Sequence, residues 1–323
     1  MPFGFAELHG GGTRLRIVPA LGGKIASLEA AGREWLWTSD VLPWQEPVDG
    51  ASYVETADSG GYDECFPTVA ACHLPSGVQR FGGLALPDHG ELWSQRPVVA
   101  IETDPDGQRA VCTWEGRRLP YRFVRTVQVT THGSVVMRYA ATNCGDHPLP
   151  FIWSAYPVFP LTPSTRVDLP TGARVRVAAA HGEALRGLAP EFRWPHVRLE
   201  KRIADLTVPD QVGRHYACKL FIEMPPGTTV VALEENGPRL EVALDGHTVP
   251  TVGLWINKRE WTPFKRGKPY LNIALEPCIG APDSLTEALG AWRAAQWLQP
   301  GQTRQWALTW RATAPEPLAS ARQ

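Results

Sequence analysis

The chain has 323 residues, with 32 basic and 33 acidic side chains and a formal net charge of −1. That balance excludes a strongly cationic nucleic-acid binder, which needs surplus Lys and Arg to neutralise phosphates. Hydrophobic residues at 43% and charged residues at 20% exclude a disordered chain.

At the N-terminus, Met1 to Leu15 lack a basic stretch followed by an apolar one, so no signal peptide is expected. No apolar run approaches the ~20 residues that span a bilayer. A soluble cytoplasmic protein is the expectation, with no membrane or nucleic-acid partner. From Thr13 onward the dominant period is two. Leu15 and Ile17 alternate with Arg14 and Arg16, and a β-favouring run holds Phe123, Val124, Val127 and Val129. Val135 to Thr142 form another, before the turn-rich Asn143-Cys144-Gly145-Asp146. Leu240, Val242 and Leu244 alternate with Glu241 and Ala243, and Asp245-Gly246 follows as a hairpin signal. One helix is expected, where Ser284 and Glu287 have capping-box spacing and Leu285, Ala288, Leu289 and Trp292 recur at helical spacing. Trp306, Leu308 and Trp310 mark the last strand. Strands without long intervening helices predict an all-β protein of antiparallel sheets packed face to face. One domain over 1–311 and a flexible tail over 312–323 complete the expected organisation.

The 6 cysteines have no C-x-x-C spacing and read as free thiols of a reducing compartment. The 9 histidines show no H-x-x-x-H or H-E-x-x-H spacing, so no metal site is expected from local motifs. Three segments set polar and ionisable residues into apolar surroundings. Leu86-Pro87-Asp88-His89-Gly90-Glu91-Leu92-Trp93 puts a histidine before a glycine, where backbone approaches a ligand closely. Ile152 to Phe159 is apolar except for Ser154 and Tyr156. Leu271 to Pro277 ends an apolar strand on Glu276, and a carboxylate at the mouth of a β core is costly unless paired or functional. Each has a structural alternative: a backbone-bonded turn histidine, a core tyrosine, a strand-end glutamate. In Gly60 to Pro67 the adjacent Asp63 and Glu64 point to opposite faces if extended, so at most one faces a pocket. The 13 tryptophans suit a sugar-binding cleft and a β core alike.

Taken in order, these segments resemble the aldose 1-epimerase, or galactose mutarotase-like, family. The resemblance starts at Leu21-Gly22-Gly23-Lys24-Ile25-Ala26-Ser27-Leu28 and continues through Asp88-His89-Gly90 and Trp153-Ser154-Ala155-Tyr156-Pro157. It ends on Leu275-Glu276-Pro277 and Gly280-Ala281-Pro282-Asp283-Ser284. It implies a single-domain β-supersandwich with an open sugar groove, and interconversion of sugar anomers by acid–base ring opening. By the resemblance, Glu276 falls on the general base and His89 on the histidine that holds substrate near the ring oxygen. No cofactor is required, and the implied partner is a monosaccharide or sugar derivative, bound by a monomer or homodimer.

The departure is Tyr156, where relatives place the acid histidine. A phenol of pKa about 10 replaces an imidazole of about 6.5. Tyr156 donating directly and His89 taking over as acid are two rescues. The mid-chain substrate-binding aspartate is also absent. Lys219 lies near its expected place, and a cation there points to an acidic or phosphorylated sugar. Arg80, Glu64 and Trp255 complete the candidate substrate contacts, Trp255 as a stacking wall. A carbohydrate-binding protein that has lost turnover is the alternative. A glycoside hydrolase or lyase is a third reading, since hydrolysis needs two opposed carboxylates and Asp63 with Glu64 offers a pair.

Overall fold

The computed structural model describes residues 3–265 and 267–314. The period-two segments form strands of two large sheets. In the first, of 11 strands, the central neighbours are Lys24–Ala30, Tyr62–Cys65, Trp153–Pro160, Leu271–Ile279, Thr251–Lys258, Tyr216–Glu223 and Arg174–His181. The second, of 8 strands, includes Thr228–Glu234, Arg239–Asp245, Thr303–Thr313, Val135–Asn143 and Tyr121–Thr130. Every pairing between these strands is antiparallel. This is the expected all-β architecture.

One continuous apolar core lies between the sheets. Its centre is aromatic: Tyr139 stacks on Trp306 at 5.5 Å, and Trp153 meets Trp306 at 5.0 Å. Each fully buried large apolar side chain contributes roughly 1.5–3 kcal/mol of transfer free energy. The first sheet is covered on both faces. Its strand Leu271–Ile279 is buried at every position but the first, and so reads as a continuous apolar run. On its inner face Tyr62, Glu64, Trp153 and Leu275 meet the core. On its outer face Asp63, Ser154, Tyr156, Glu276, Lys219 and Trp255 lie side by side, because directly paired residues share a face.

Three local expectations change. Asp245-Gly246 does not close a hairpin, because Arg239–Asp245 lies in the second sheet and Thr251–Lys258 in the first. That turn carries the chain between layers. The helix starts where its cap predicts, with Ser284 Oγ accepting from Glu287 N, but it spans only Leu285–Leu289. The chain turns at Gly290, and Trp292 packs edge-on against Phe221 at 5.6 Å. The last strand runs to Thr313, with Ala312 paired to Leu240, so the domain extends past the expected boundary at 311. The rest of the expected tail, 315–323, lies outside the described residues. Among the described residues no helix is long and apolar enough to cross a membrane.

Candidate functional site

The outer face of the first sheet becomes a cleft because three loops fold over it. Val69 N and Ala70 N both donate to Asp283 O, at 2.9 and 2.7 Å, which ties the segment after Pro67 to the segment before the short helix. His89 N donates to Val69 O at 2.5 Å, which brings in the Asp88-His89-Gly90 turn. Gly90 is required there. Its φ is 72°, and a Cβ would stand 2.2 Å from Phe66 O. His89 itself holds a φ of 57°, a sparsely populated conformation for a side chain of this size.

The resulting cleft holds about 240 Å³. Drug-sized pockets run from about 300 to 1,000 Å³, so this one suits a single small ring. Asp58, His89, Tyr156, Lys219, Trp255 and Asp283 are among its lining residues, with Trp261 and His181 at the sides. Trp255 and Trp261 stand perpendicular at 5.6 Å and make an aromatic corner. A larger concavity of about 610 Å³ lies elsewhere, lined by Val124, Thr126, Arg138 and Gln305 among others, without such a gathering of buried acids.

Beneath the cleft floor lies Glu276, with no exposed surface. It pairs in register with Gly253, and an added Cβ on that glycine would lie 3.3 Å from Glu276 Cβ. Glu276 Oε2 accepts from Lys219 Nζ at 2.5 Å and from Ser154 Oγ at 3.2 Å. Its Oε1 is buried and has no hydrogen-bond partner. Burial pushes this carboxyl above the usual carboxylate range, and the Lys219 ammonium pulls against that rise. Lys219 also lies 3.3 Å from Asp283 Oδ1. Burial disfavours its charge, but Asp283 and Glu276 hold its proton more tightly than usual.

At the other side of the cleft, His89 Nδ1 shares a hydrogen bond with Asp88 Oδ1 at 2.8 Å. Asp88 Oδ2 in turn accepts from the backbone N–H of Tyr53 at 2.9 Å. The Tyr53 ring stacks on His89 at 4.0 Å. Burial opposes a charge on the imidazole, but the Asp88 hydrogen bond and the Asp88, Asp58 and Asp283 charges together outweigh it, so the His89 pKa rises above its ordinary value. Tyr156 lies edge-on to His89 at 5.3 Å. Burial, with Asp58 and Glu276 nearby, pushes its phenol well above 10.

The structure therefore brings Glu276, His89, Tyr156, Lys219 and Trp255 to one site. Two candidates fall elsewhere. Arg80 is an exposed loop residue outside the cleft. Glu64 lies on the opposite face of the sheet, where its Oε1 meets Arg125 at 3.3 Å and its Oε2 accepts from Trp153 Nε1 at 2.8 Å. The alternation of an extended strand decides this: Asp63, not Glu64, is on the cleft side, held by Lys24 and the Tyr53 hydroxyl. A hydrolytic pair from these two carboxylates is thereby overturned. Lys219, from which an acidic or phosphorylated sugar was expected, lies against Glu276 and Asp283. Sequence reasoning missed Asp58, Tyr53 and Trp261, and gave Asp88 and Asp283 no role. The last two sat inside the Asp-His-Gly and Gly-Ala-Pro-Asp-Ser motifs. Asp58 had no local signal.

Solved structures align with this arrangement along nearly the whole chain. A candidate aldose 1-epimerase of Escherichia coli K12 matches at 18% identity, over 96% of this chain and 99% of its own, with a TM-score of 0.65. The fold is galactose mutarotase-like. A galactose mutarotase-like protein of Lactobacillus casei ATCC 334 agrees, at 17% identity over 96% and 100% of the two chains and a TM-score of 0.63. The mutarotase-like fold also covers 48% of a TPR-domain containing protein of Parabacteroides distasonis ATCC 8503, at 16% identity, 99% of this chain and a TM-score of 0.66. A shared fold thus spans proteins of different description, and function has to be argued from the site. No protein-family model matches the chain, and no curated protein matches it.

Proposed function

We propose that the cleft binds the pyranose ring of an aldose or close derivative and interconverts its anomers by acid–base ring opening. The observation that carries this reading is one cleft lined by the protonatable His89, Lys219 and Asp283 beside the Trp255–Trp261 corner, with Glu276 bonded to Lys219 directly beneath it. Glu276 takes the proton of the C1 hydroxyl. A carboxyl raised by burial suits that task near neutral pH better than an ordinary one, since a base works best with a pKa near the working pH. Its unpartnered Oε1 is the acceptor assigned to that hydroxyl. Lys219 orients the carboxylate through Oε2. His89, fixed by Asp88 and Tyr53, holds the sugar near its ring oxygen. As the C1–ring-oxygen bond breaks, the ring oxygen takes a proton from an acid of the cleft; rotation about C1–C2 follows, and reclosure returns both protons and gives either anomer. No electron or phosphoryl group changes hands. Burial raises the Tyr156 phenol well above its ordinary value, which makes it a poorer proton donor to the ring oxygen.

A second reading rests on one observation: Glu276 is sealed beneath the Lys219 ammonium and exposes no atom to the cleft. On that reading the protein binds sugar without turnover. Freshly dissolved α-glucose and α-galactose, followed by optical rotation with and without protein, separate the two. Accelerated decay of rotation supports the isomerase. Calorimetric binding without acceleration supports the binding protein, and neither binding nor acceleration across a panel of aldoses removes both.

A further inference from the structure

If Tyr156 is too weak an acid and His89 holds the sugar rather than giving up its proton, the ring oxygen needs another donor. Asp58 is a candidate, placed in the same cleft as His89 and Tyr156. It is 3% exposed, and its Oδ1 is buried without a hydrogen-bond partner among the described residues. A carboxyl oxygen buried without a donor costs free energy that a purely structural role does not return.

Its backbone is pinned on both sides. Asp58 N donates to Tyr53 O at 3.0 Å, and Ser39 N donates to Ser59 O at 3.0 Å. Gly60 lies against Trp37, where a Cβ would come within 2.1 Å of the carbonyl oxygen. A side chain carried on so fixed a loop is placed before substrate arrives, as proton transfer requires.

We propose that Asp58 is the catalytic acid of the anomer interconversion, giving its proton to the ring oxygen in place of a histidine. The proposal rests on the isomerase reading above. In the forward step the C1 hydroxyl proton passes to Glu276, the C1–ring-oxygen bond breaks, and the Asp58 proton forms the C5 hydroxyl. The open aldehyde rotates. On reclosure the C5 hydroxyl returns its proton to Asp58, and Glu276 returns its own to O1. Protons and electrons balance with no co-reactant.

The surroundings fit the task. Burial pushes the Asp58 carboxyl up to about 6, against the pull of the His89 and Lys24 charges and with the push of Asp63 and Asp88. The hydroxyls of Tyr53, Tyr156 and Tyr270 also feel its charge. An acid with a pKa of about 6 is half protonated near pH 6 and roughly a tenth protonated at pH 7, where an ordinary aspartate is almost wholly ionised.

The test is the anomer exchange rate of the full chain and of Asp58→Asn, as a function of pH, beside sugar binding by calorimetry and thermal melts. Asp58→Asn keeps the shape and loses the proton. It should melt no lower than the parent, bind sugar within about threefold, and lose roughly 10²–10⁴-fold in kcat. The parent rate should fall as pH rises past about 6, where Asp58 deprotonates, and the residual rate of the variant should lack that limb. An Asp58→Glu variant should recover part of the rate. A parent that accelerates exchange, with an Asp58→Asn variant that keeps its kcat and pH profile, overturns the Asp58 role and leaves the isomerase reading standing. A parent that gives no acceleration overturns both.

Discussion

Two buried carboxylate–cation pairs lie on opposite faces of the same sheet. Glu64 meets Arg125 in the interior, and Glu276 meets Lys219 under the cleft. Both carboxylates are buried, and burial raises both: Glu64 goes up to about 7, and Glu276 rises while Lys219 pulls against it. They differ in satisfaction. Both oxygens of Glu64 have donors, one from Arg125 and one from Trp153. Glu276 spends one oxygen on Lys219 and Ser154 and leaves the other without a donor. Arg125 brings a forked guanidinium that also reaches Gly23 O at 2.5 Å, tying strands together. Lys219 brings a point charge shared with Asp283 at the cleft wall. A pair with a saturated carboxylate between two apolar layers is structural. A pair with spare capacity beside a cleft is a candidate site.

The largest effect should come from breaking the interior pair. Glu64→Ala strands a buried guanidinium and should cost about 3–5 kcal/mol in urea unfolding. A loss of less than about 1 kcal/mol would place Glu64 in a solvated setting. At the cleft the balance should invert. Glu276→Gln leaves Asp283 to balance Lys219, so it should unfold closer to the parent than Glu64→Ala does. Anomer exchange should nevertheless drop by roughly 10²–10⁴-fold. Unchanged exchange would hand the base to another carboxylate.

The His89–Asp88 pair gives a smaller, pH-dependent effect. The folded-state pKa of His89 lies above its unfolded value, so the stability it contributes is full below about 6.5 and is lost as pH rises through the folded value. Melts from pH 6 upward should show this fall, and Asp88→Asn should flatten it. The smallest effect belongs to Tyr156→Phe. A phenol already pushed well above 10 supplies little proton, so the exchange rate should change by less than about threefold. A drop of 10²-fold on this substitution would return the acid role to Tyr156.

The strands were legible because alternation is a local property of sequence. The runs holding Val127, Val242 and Leu308 became strands of the second sheet. Ser284 capped its helix as its spacing predicts, and only the helix length was misjudged, because Gly290 turns the chain. Glu276 stood out as a lone carboxylate in an apolar run, and His89 stood out beside a glycine. Glu64 was misread because local sequence shows that adjacent carboxylates diverge but not which one meets the core.

The sequence by itself determined the all-β class and the ionisable residues that interrupt its apolar strands, since both depend on side-chain order along short segments. Only the tertiary structure decided that Lys219 clamps Glu276, that Glu64 belongs to the interior, and that Asp58 enters the cleft. The first two depend on residues 57 and 61 positions apart meeting across the structure, and the third on several separate segments closing over one sheet face. Burial and partner geometry, which set the chemistry of an acid, exist only once those distant segments are in contact.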